Sequence, residues 1–208
     1  MGHEPATDVS AFEGDDLTAT LHAAWQPFVA AVAVRRGPFH TPSIATIGAG
    51  AVPRLRTVVL RDCDADGWRL RFHTDRRSAK FDELSANPAI ALHVYSQPAK
   101  LQVRLDGVAH LHCDDEFASL AWDRSQPSSR ACYAQAAAPG VRLEAPEPDL
   151  TVPAGPRVPL QTGRQNFCAV QVQIVSLEWL YLRAAGHRRA RFERNAAAGG
   201  ISATWLAP

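Results

Sequence analysis

A serine and a lysine at the start of a short helical segment are the residues of this sequence best placed to bind an anion. Ser78 and Lys80 follow a predicted strand that ends in His73 and Thr74, and a helix is predicted over residues 78–86. The first turn of a helix presents unpaired N–H groups and a partial positive charge. Because a lysine in that turn is unfavourable for the helix itself, we interpret Lys80 as a ligand for a bound anion such as a phosphate.

A second cation lies on a nearby predicted strand. Arg56 begins the run Arg-Thr-Val-Val-Leu-Arg over residues 56–61, and its guanidinium could add a bidentate contact to the same anion. Ordinary structural explanations remain open for these residues. Basic side chains are common on surfaces near helix starts, and a histidine at a strand end, such as His73, is often simply half-buried.

The elements that would position these residues follow from the spacing of apolar and turn residues. Apolar side chains at three- and four-residue intervals predict a helix over about 17–35, with a break or kink at Pro27. From residue 43 onward the pattern changes to short β-rich runs separated by turns. We predict strands over 43–47, 54–61, 68–74, 89–95, 100–112, 168–183 (as two strands or one bent strand), 188–194 and 201–205.

Short helices are predicted among these strands, over 78–86, 114–124 and 128–138. Five prolines crowd residues 140–159, which predicts an extended or mobile loop. Many strands with few helices and no strict β-α alternation favour a mainly β, α+β barrel over a doubly wound sheet.

Composition and charge exclude several classes of partner. The chain has 208 residues, 46% of them hydrophobic, and a net charge of +1, which predicts one globular domain over 17–208 after a flexible N-terminus over 1–16. A near-neutral chain gives no reason to expect nucleic acid, even with a basic run over 183–194. We expect no membrane span because apolar runs are short, and the absence of a signal pattern predicts a cytoplasmic protein.

The cysteines predict neither a disulfide framework nor a metal site. They are widely spaced, without a C-x-x-C pair, at Cys63, Cys113, Cys132 and Cys168. His110 and His112 would share one face of a strand, but Cys113 would point to the other face, and no further ligand cluster lies nearby.

Several short motifs occur in a fixed order along the chain. They are residues 56–61, Phe72-His73-Thr74, Ser78-Ala79-Lys80, Asn87-Pro88, Gln102-Val103-Arg104 and Gly107, then Tyr181, residues 187–191 and the closing Trp205-Leu206-Ala207-Pro208. In order and spacing these motifs resemble the pyridoxamine 5′-phosphate oxidase family. Trp25 and residues 45–47 and 181–183 look most like its branch of flavin-binding proteins described only as oxidase-related.

The resemblance implies a six-stranded antiparallel split β-barrel with flanking short helices, assembled as a homodimer through residues 167–208. FMN would lie in a cleft between the two subunits. The resemblance assigns its phosphate to Arg56, Ser78 and Lys80, its other contacts in the same subunit to Thr57, Val58, Val59, His73, Thr74 and Gln102, and its contacts from the second subunit to Tyr181 and Arg191. A cation such as Arg191 near the ring would stabilise a reduced flavin.

The sequence departs from the family pattern mainly where the substrate would bind. Ala79 stands where the family has a second basic residue, for which Arg76 or Arg77 could compensate. For a small-molecule substrate the resemblance offers Arg61, Arg124 and Ser128, but the family's tyrosine position falls at Leu120. The family's Arg-x-His pair is reversed here, with His187 and Arg189 at its ends.

These departures predict an FMN-dependent oxidoreductase with an altered substrate site. A non-catalytic FMN-binding or redox-sensing protein remains an alternative. A related barrel that binds haem or a deazaflavin is a further one.

Overall fold

The computed structural model describes residues 12–145, 161–195 and 199–208 of the chain. Within those ranges it contains four α-helices: α1 Leu17–Val34, α2 Ala79–Ala86, α3 Glu116–Asp123 and α4 Pro127–Ala131. The strands there are β1 Ser43–Ile47, β2 Pro53–Thr57, β3 Leu60–Asp64, β4 Arg69–Asp75, β5 Ala89–Ser96, β6 Leu101–His112, β7 Phe167–Tyr181, β8 Arg188–Asn195 and β9 Gly200–Leu206.

All strand pairs are antiparallel, and they form one sheet. Its main path runs β2-β1-β5-β6-β7-β4-β3, while β8 pairs with β7 and β9 with β8. The predicted class, mainly antiparallel β with a few helices, is confirmed. The predicted count of six strands is not confirmed, because the described part of the sheet has nine strands and the strand pairing does not close it.

The strand predicted over 54–61 is divided in two, which brings the two ends of the sheet together. The N–H of Val58 donates to the carbonyl of Pro42 at 3.0 Å, and that of Leu60 donates to His40 at 2.8 Å. These donors contact the loop before β1, so the ladder is interrupted there. Since only Val58 and Val59 separate β2 from β3, the sheet must curl back far enough to bring the end of β2 close to the start of β3, although the two strands do not pair.

The long strand β7 is the centre of the sheet. Its first half lies between β6 and β4, and its second half lies between β6 and β8. The alternative of one continuous strand over this region is thus the one observed. The pairing of β6 with β7 shifts register beside Gly107, where Val175 has no partner on β6. This irregularity is a β-bulge, which bends a strand and increases its twist.

Gly107→Ala is expected to destabilise the fold by about 1–3 kcal/mol. A Cβ at residue 107 would lie 2.6 Å from the carbonyl oxygen of Gln173 and 2.9 Å from a methyl carbon of Val172, so β6 and β7 would have to separate. Urea unfolding measures the effect. Gly200→Ala is the matched control, because a Cβ there meets nothing within 4 Å; equal midpoints for the two variants would contradict the prediction.

Helix α1 packs an aromatic face on the sheet. Asp16 caps its N-terminus by accepting from the N–H groups of Thr18 and Ala19. Trp25 contacts Trp68, with ring centroids 5.8 Å apart. Of the predicted break or kink at Pro27, the break is wrong: the helix continues through Pro27 to Val34. Proline removes one backbone hydrogen bond, and packing of the residues on either side of it holds the helix together.

Helix α1 is also long and apolar enough to cross a membrane, by length and composition. The expectation that no segment reaches that threshold is therefore wrong, because no charged residue lies between Asp16 and Arg35. In this structure the helix buries Trp25 and Phe28 against the rest of the chain. Its buried side belongs to the core of the sheet.

Of the N-terminal segment 1–16, for which the sequence predicts flexibility, the structure describes residues 12–16, where Phe12 is buried and residues 13–16 are exposed; residues 1–11 lie outside the described ranges. Phe12 is fully buried, with its ring 5.2 Å from that of Trp179. Glu13 pairs with Arg183 at 2.7 Å, and Asp15 pairs with Arg188. The start of the described chain therefore holds the end of β7 and the start of β8.

The last differences concern the short helices and the proline-rich segment. The helix predicted over 128–138 is limited to α4 and a 3-10 turn at Cys132–Ala134. The loop predicted over 140–159 lies mostly outside the described residues, which resume at residue 161.

Candidate functional site

Arg56 lies at the end of β2 in a network with α2. Its guanidinium donates to Oε2 of Glu83 at 2.5 Å and also to the hydroxyl of Thr46. Thr46 in turn donates to the same Glu83 oxygen at 2.5 Å. Burial alone would raise the pKa of Glu83, but the hydrogen bonds from Thr46 and Arg56 outweigh it and lower the pKa below its ordinary value. Arg56 is thus held as a cation beside α2.

Lys80, Thr74 and Ser78 form a second group next to that network. The ammonium of Lys80 donates to Oγ1 of Thr74 at 2.7 Å, and the hydroxyls of Thr74 and Ser78 are 3.1 Å apart. Ser78 is the N-cap residue of α2, as predicted, but its hydroxyl donates to the carbonyl of Asp75 at 2.7 Å and does not cap the helix. Its contacts therefore extend toward β4.

The electrostatics of Lys80 indicate a site for an anion. Burial lowers the pKa of Lys80, and the positive charge of Arg56 lowers it further, against the opposing charges of Asp75 and Glu83. Two cations close enough to affect each other therefore meet beside two hydroxyl groups. An anion placed between them would relieve this repulsion.

Three further predicted contacts with the cofactor, Thr57, Val58 and Val59, lie between Arg56 and β3 and differ in their exposure. Thr57 pairs with Ser43 of β1. Val58 is buried and its N–H is already bonded to Pro42, whereas Val59 is exposed. Of the two valines, Val59 is the one whose side chain can meet a ligand.

A cavity of about 270 Å³ is lined by Leu60 and Arg61, the residues that follow this segment, and by residues of other elements. It is lined by arginines from four elements or their ends, by two histidines and by small polar residues. The charged and imidazole groups are Arg35, His40, Arg61, Arg71, His73 and Arg124. We call this the arginine pocket. It unites Arg61 and Arg124, which the resemblance had assigned to substrate, with His73, which it had assigned to the cofactor.

His73 is a neutral side chain in this pocket. Burial, with the charges of Arg71 and Arg61, lowers the pKa of His73 to about 3. Its ring lies edge-on to Phe167, with centroids 4.7 Å apart, and its Nε2 is buried without a hydrogen-bond partner in the described part of the chain. An unpaired buried nitrogen is costly unless a ligand satisfies it.

The serine that faces Arg61 is Ser129, one residue after the predicted Ser128. The hydroxyl of Ser129 lies 3.5 Å from Nη2 of Arg61 and lines the pocket, whereas Ser128 is exposed and is not among the lining residues. The short helix α4 begins with Pro127 and turns Ser129 inward. Leu120, at the family's tyrosine position, is 48% exposed and does not line the pocket.

A third cluster surrounds a buried carboxylate on β7. Glu178 accepts from Arg189 at 2.8 Å, Arg191 at 3.0 Å and Arg104 at 3.3 Å. Burial alone would raise the pKa of Glu178, but the hydrogen bonds from Arg191 and Arg189 and the charge of Arg104 lower it below its ordinary value. Two predicted site residues, Arg189 and Arg191, are therefore fixed by a carboxylate that the sequence reasoning missed.

The remaining predicted residues lie apart from these groups within one chain. Tyr181 is buried against Phe12, with ring centroids 5.5 Å apart. Gln102 is half-buried on β6, between Tyr95 of β5 and Leu180 of β7. His187 is exposed before β8. A single chain thus unites the Arg56, Thr74, Ser78 and Lys80 group but does not join it to Tyr181 and Arg191.

Some missed residues had a usable signal. Arg71 is two residues before His73 on β4, so the two share one face of the strand. Arg35 ends α1 in the left-handed region, with φ of 56°, and no sequence pattern predicts where its side chain goes. Thr46 and Glu83 reach Arg56 from sequence distances of 10 and 27 residues.

Comparison with known proteins defines the class. A family model described as "Pyridoxamine 5′-phosphate oxidase, FMN-binding domain" matches residues 22–113, which include Arg56, Thr74, Ser78 and Lys80. The pyridoxine/pyridoxamine 5′-phosphate oxidase of Rhodopseudomonas palustris is 32% identical over 152 residues, or 66% of this chain and 70% of that protein. The chain belongs to the pyridoxamine 5′-phosphate oxidase family.

Other similarities are shorter or concern the fold alone. The protein of the same name from Caulobacter vibrioides is 37% identical over 98 residues, so the match spans 43% of that relative's length. A pyridoxamine 5′-phosphate oxidase-related, FMN-binding protein from Nostoc punctiforme superposes with a TM-score of 0.68 at 24% identity, over 88% of this chain and 97% of that one. PhzG from Burkholderia lata, in complex with tetrahydrophenazine-1-carboxylic acid, gives 0.67 at 18% identity over the whole of both chains.

Proposed function

We propose that this protein binds FMN and acts as an oxidoreductase on a small anionic substrate. The observation that carries the proposal is the group formed by Lys80, Thr74 and Ser78 beside Arg56. This group lies inside the range that matches the FMN-binding domain of the family. The family match supports the cofactor, and the substrate rests on the arginine pocket.

The residues of this group fit a phosphate. A phosphate monoester carries close to two negative charges at neutral pH and several acceptor oxygens. Lys80 and Arg56 supply two cations, and Thr74 and Ser78 supply hydroxyl donors. Within the described ranges Glu83 contacts Arg56, while Asp75, the other carboxylate near Lys80, pairs with Arg77 at 2.8 Å, so the group has charge left for a ligand.

When bound, FMN supplies hydride or electron transfer, and the protein holds the reactants and tunes the charge around them. Val59, three residues after Arg56, is exposed and offers an apolar contact to the cofactor. We assign Arg189 and Arg191 of β8 to the polar edge of the flavin ring, and Glu178 holds Arg191 in place through a hydrogen bond. A fixed cation stabilises negative charge on a reduced ring without first having to be ordered.

We also propose that the protein is a homodimer in which the second subunit contributes Tyr181 and Arg191. The outward face of the β1–β2 hairpin is apolar, with Leu55 72% exposed and Ile47 39% exposed. In the register of this hairpin, Ala45 pairs with Leu55 and Ile47 with Pro53. An exposed apolar patch of this kind is typical of an interface, and it includes Leu55 of β2, the strand that carries Arg56.

Purified protein reconstituted with FMN is expected to show flavin absorption that co-elutes with a dimer on gel filtration. Light scattering on the same column measures the mass against the 22.6 kDa of one chain. A colourless protein after reconstitution would remove the cofactor from the proposal. A coloured monomer would remove the second subunit's contribution.

Anaerobic mixing with candidate substrates then separates an enzyme from a protein that only stores or senses FMN. Bleaching of the flavin bands, followed by their return in air, is the expected result for an oxidoreductase. A flavin that stays oxidised with every phosphorylated amine, alcohol and carboxylate tested, and with reduced nicotinamides, would favour the non-catalytic alternative.

A further inference from the structure

The arginine pocket holds more positive charge than a single phosphate group requires. Its lining includes four guanidinium groups, Arg35, Arg61, Arg71 and Arg124, and none of its lining residues in the described ranges is an aspartate or glutamate. The other arginine clusters differ in this respect, since Arg56 contacts Glu83 and the three arginines on β6 and β8 contact Glu178. Unlike these two clusters, the arginine pocket has no carboxylate among its lining residues in the described part of the chain.

Only one of the four guanidinium groups has a carboxylate partner in the part of the chain that the structure describes. Arg71 lies 3.3 Å from Asp62, whose side chain is 55% exposed. Arg61 has the hydroxyl of Ser129 at 3.5 Å. The Nε of Arg71 is buried without a partner in the described residues, as is Nε2 of His73. These unpaired groups point to a ligand that supplies several acceptors.

The four cations come from positions that surround the cavity. Arg61 and Arg71 lie on β3 and β4, which pair with each other. Arg35 ends α1, which packs on β3, and Arg124 ends α3, which packs on β7. Positive charge therefore extends from one helix end across two strands to another helix end. One tetrahedral anion can occupy only part of this span.

The two histidines do not add to this charge near neutral pH. Burial lowers the pKa of His40 and, together with the charges of Arg61 and Arg35, outweighs a hydrogen bond with the backbone of Ala31 that raises it; burial and the charges of Arg71 and Arg61 lower the pKa of His73. Both rings are therefore neutral and can donate or accept one hydrogen bond each. The guanidinium groups remain the source of the positive potential.

We propose that the substrate of this pocket is a small compound with two anionic groups, the second of them bound by Arg35 at the end of α1. The inference names the substrate class of the site proposed above and rests on that proposal. The resemblance offers Arg61 and Arg124 for a small-molecule substrate, and the structure places Ser129 beside Arg61, so we assign one anionic group to these three residues. Arg35 and Arg71 are the additional cations.

Inorganic pyrophosphate and inorganic phosphate are the probes, titrated by calorimetry into FMN-saturated protein and into protein without flavin. We expect pyrophosphate to bind at least about tenfold more tightly than phosphate, because it can engage additional charge-assisted hydrogen bonds. Equal affinities would overturn the proposal. Saturation with FMN blocks the Lys80 group. Anion binding that is still measured in the FMN-saturated protein therefore belongs to the arginine pocket.

Arg35→Gln tests the second subsite, and Arg36→Gln is its matched control, since Arg36 is adjacent, exposed and absent from the pocket lining. We expect Arg35→Gln to lower pyrophosphate affinity about tenfold while phosphate affinity stays within about twofold. Arg36→Gln should change neither. Identical behaviour of the two variants, with unchanged circular dichroism, would assign the binding to other residues.

The flavin spectrum of the same samples keeps the two proposals distinguishable. Protein that takes up no FMN, discriminates pyrophosphate from phosphate and loses that preference in Arg35→Gln would refute the proposed function and retain the site for two anionic groups. Protein that binds FMN and treats both anions alike would retain the flavin site and refute the inference.

Discussion

The Arg56→Ala/Lys80→Ala double variant is expected to bind FMN at least about 100-fold more weakly than the unaltered protein. A hydrogen bond to a charged group contributes about 1.5–3 kcal/mol, and about 1.4 kcal/mol corresponds to a factor of ten in affinity. Loss of two such contacts to one phosphate should therefore weaken FMN binding about a hundredfold or more, even if the two effects are not additive. Quenching of flavin fluorescence during titration of the apoprotein measures the affinity.

Two controls make that result specific to the phosphate. Riboflavin lacks the phosphate, so the double variant should bind it within about threefold of the unaltered protein. Lys100→Ala removes the chain's other lysine, which is exposed and outside this group, and should leave FMN affinity unchanged. An equal loss for riboflavin would mean that the double variant has damaged the fold, and no loss for FMN would mean that its phosphate lies elsewhere.

Glu178→Gln is expected to destabilise the folded protein by about 2–3 kcal/mol at pH 7. The substitution removes the negative charge that three arginines share and leaves their guanidinium groups in mutual repulsion. Breaking a fully buried pair costs about 3–5 kcal/mol. The cost here is smaller because the arginine side chains are 29–51% exposed, so that solvent screens part of the repulsion.

The destabilisation caused by Glu178→Gln should depend on pH. Since the arginines lower the pKa of folded Glu178, its stabilisation is fully present above the ordinary glutamate value of about 4.3 and is lost as the pH falls through the folded value. The difference in urea midpoint between the two proteins should therefore shrink from about pH 7 to about pH 3.5. Glu193→Gln, on the exposed side of β8, should show little difference at either pH. A constant difference for Glu178→Gln would exclude the charge as the cause.

The cluster of Thr74, Ser78 and Lys80, which we propose to bind the phosphate of FMN, was predictable because its residues are close in sequence. Thr74, Ser78 and Lys80 span the end of one strand and the first turn of the next helix, so local propensity and spacing locate them. Arg56 was identified by the resemblance and by its position at the start of a nearby predicted strand segment, residues 56–61. What the sequence could not supply is the role of Glu83, which depends on how α2 packs against β1 and brings Glu83 to Arg56 of β2.

Long-range pairing accounts for most of what was missed. The arginine pocket needs the ends of α1 and α3 to meet β3 and β4, and no periodicity specifies that meeting. The split of residues 54–61 depends on donors turned toward Pro42 and His40, which are set by the curl of the sheet. Pro27 was overestimated as a helix breaker, since propensity yields to the packing of Trp25 and Phe28.

The position of β7 in the chain has a consequence for biosynthesis. Strands β4 and β6 both require β7 as a neighbour, yet β7 begins only at Phe167. While the polypeptide emerges from the ribosome, both strands therefore have an unpaired edge, and such edges favour self-association. We expect the sheet to form cooperatively after translation has passed Tyr181, so truncation before that residue should yield aggregates in place of a smaller folded domain.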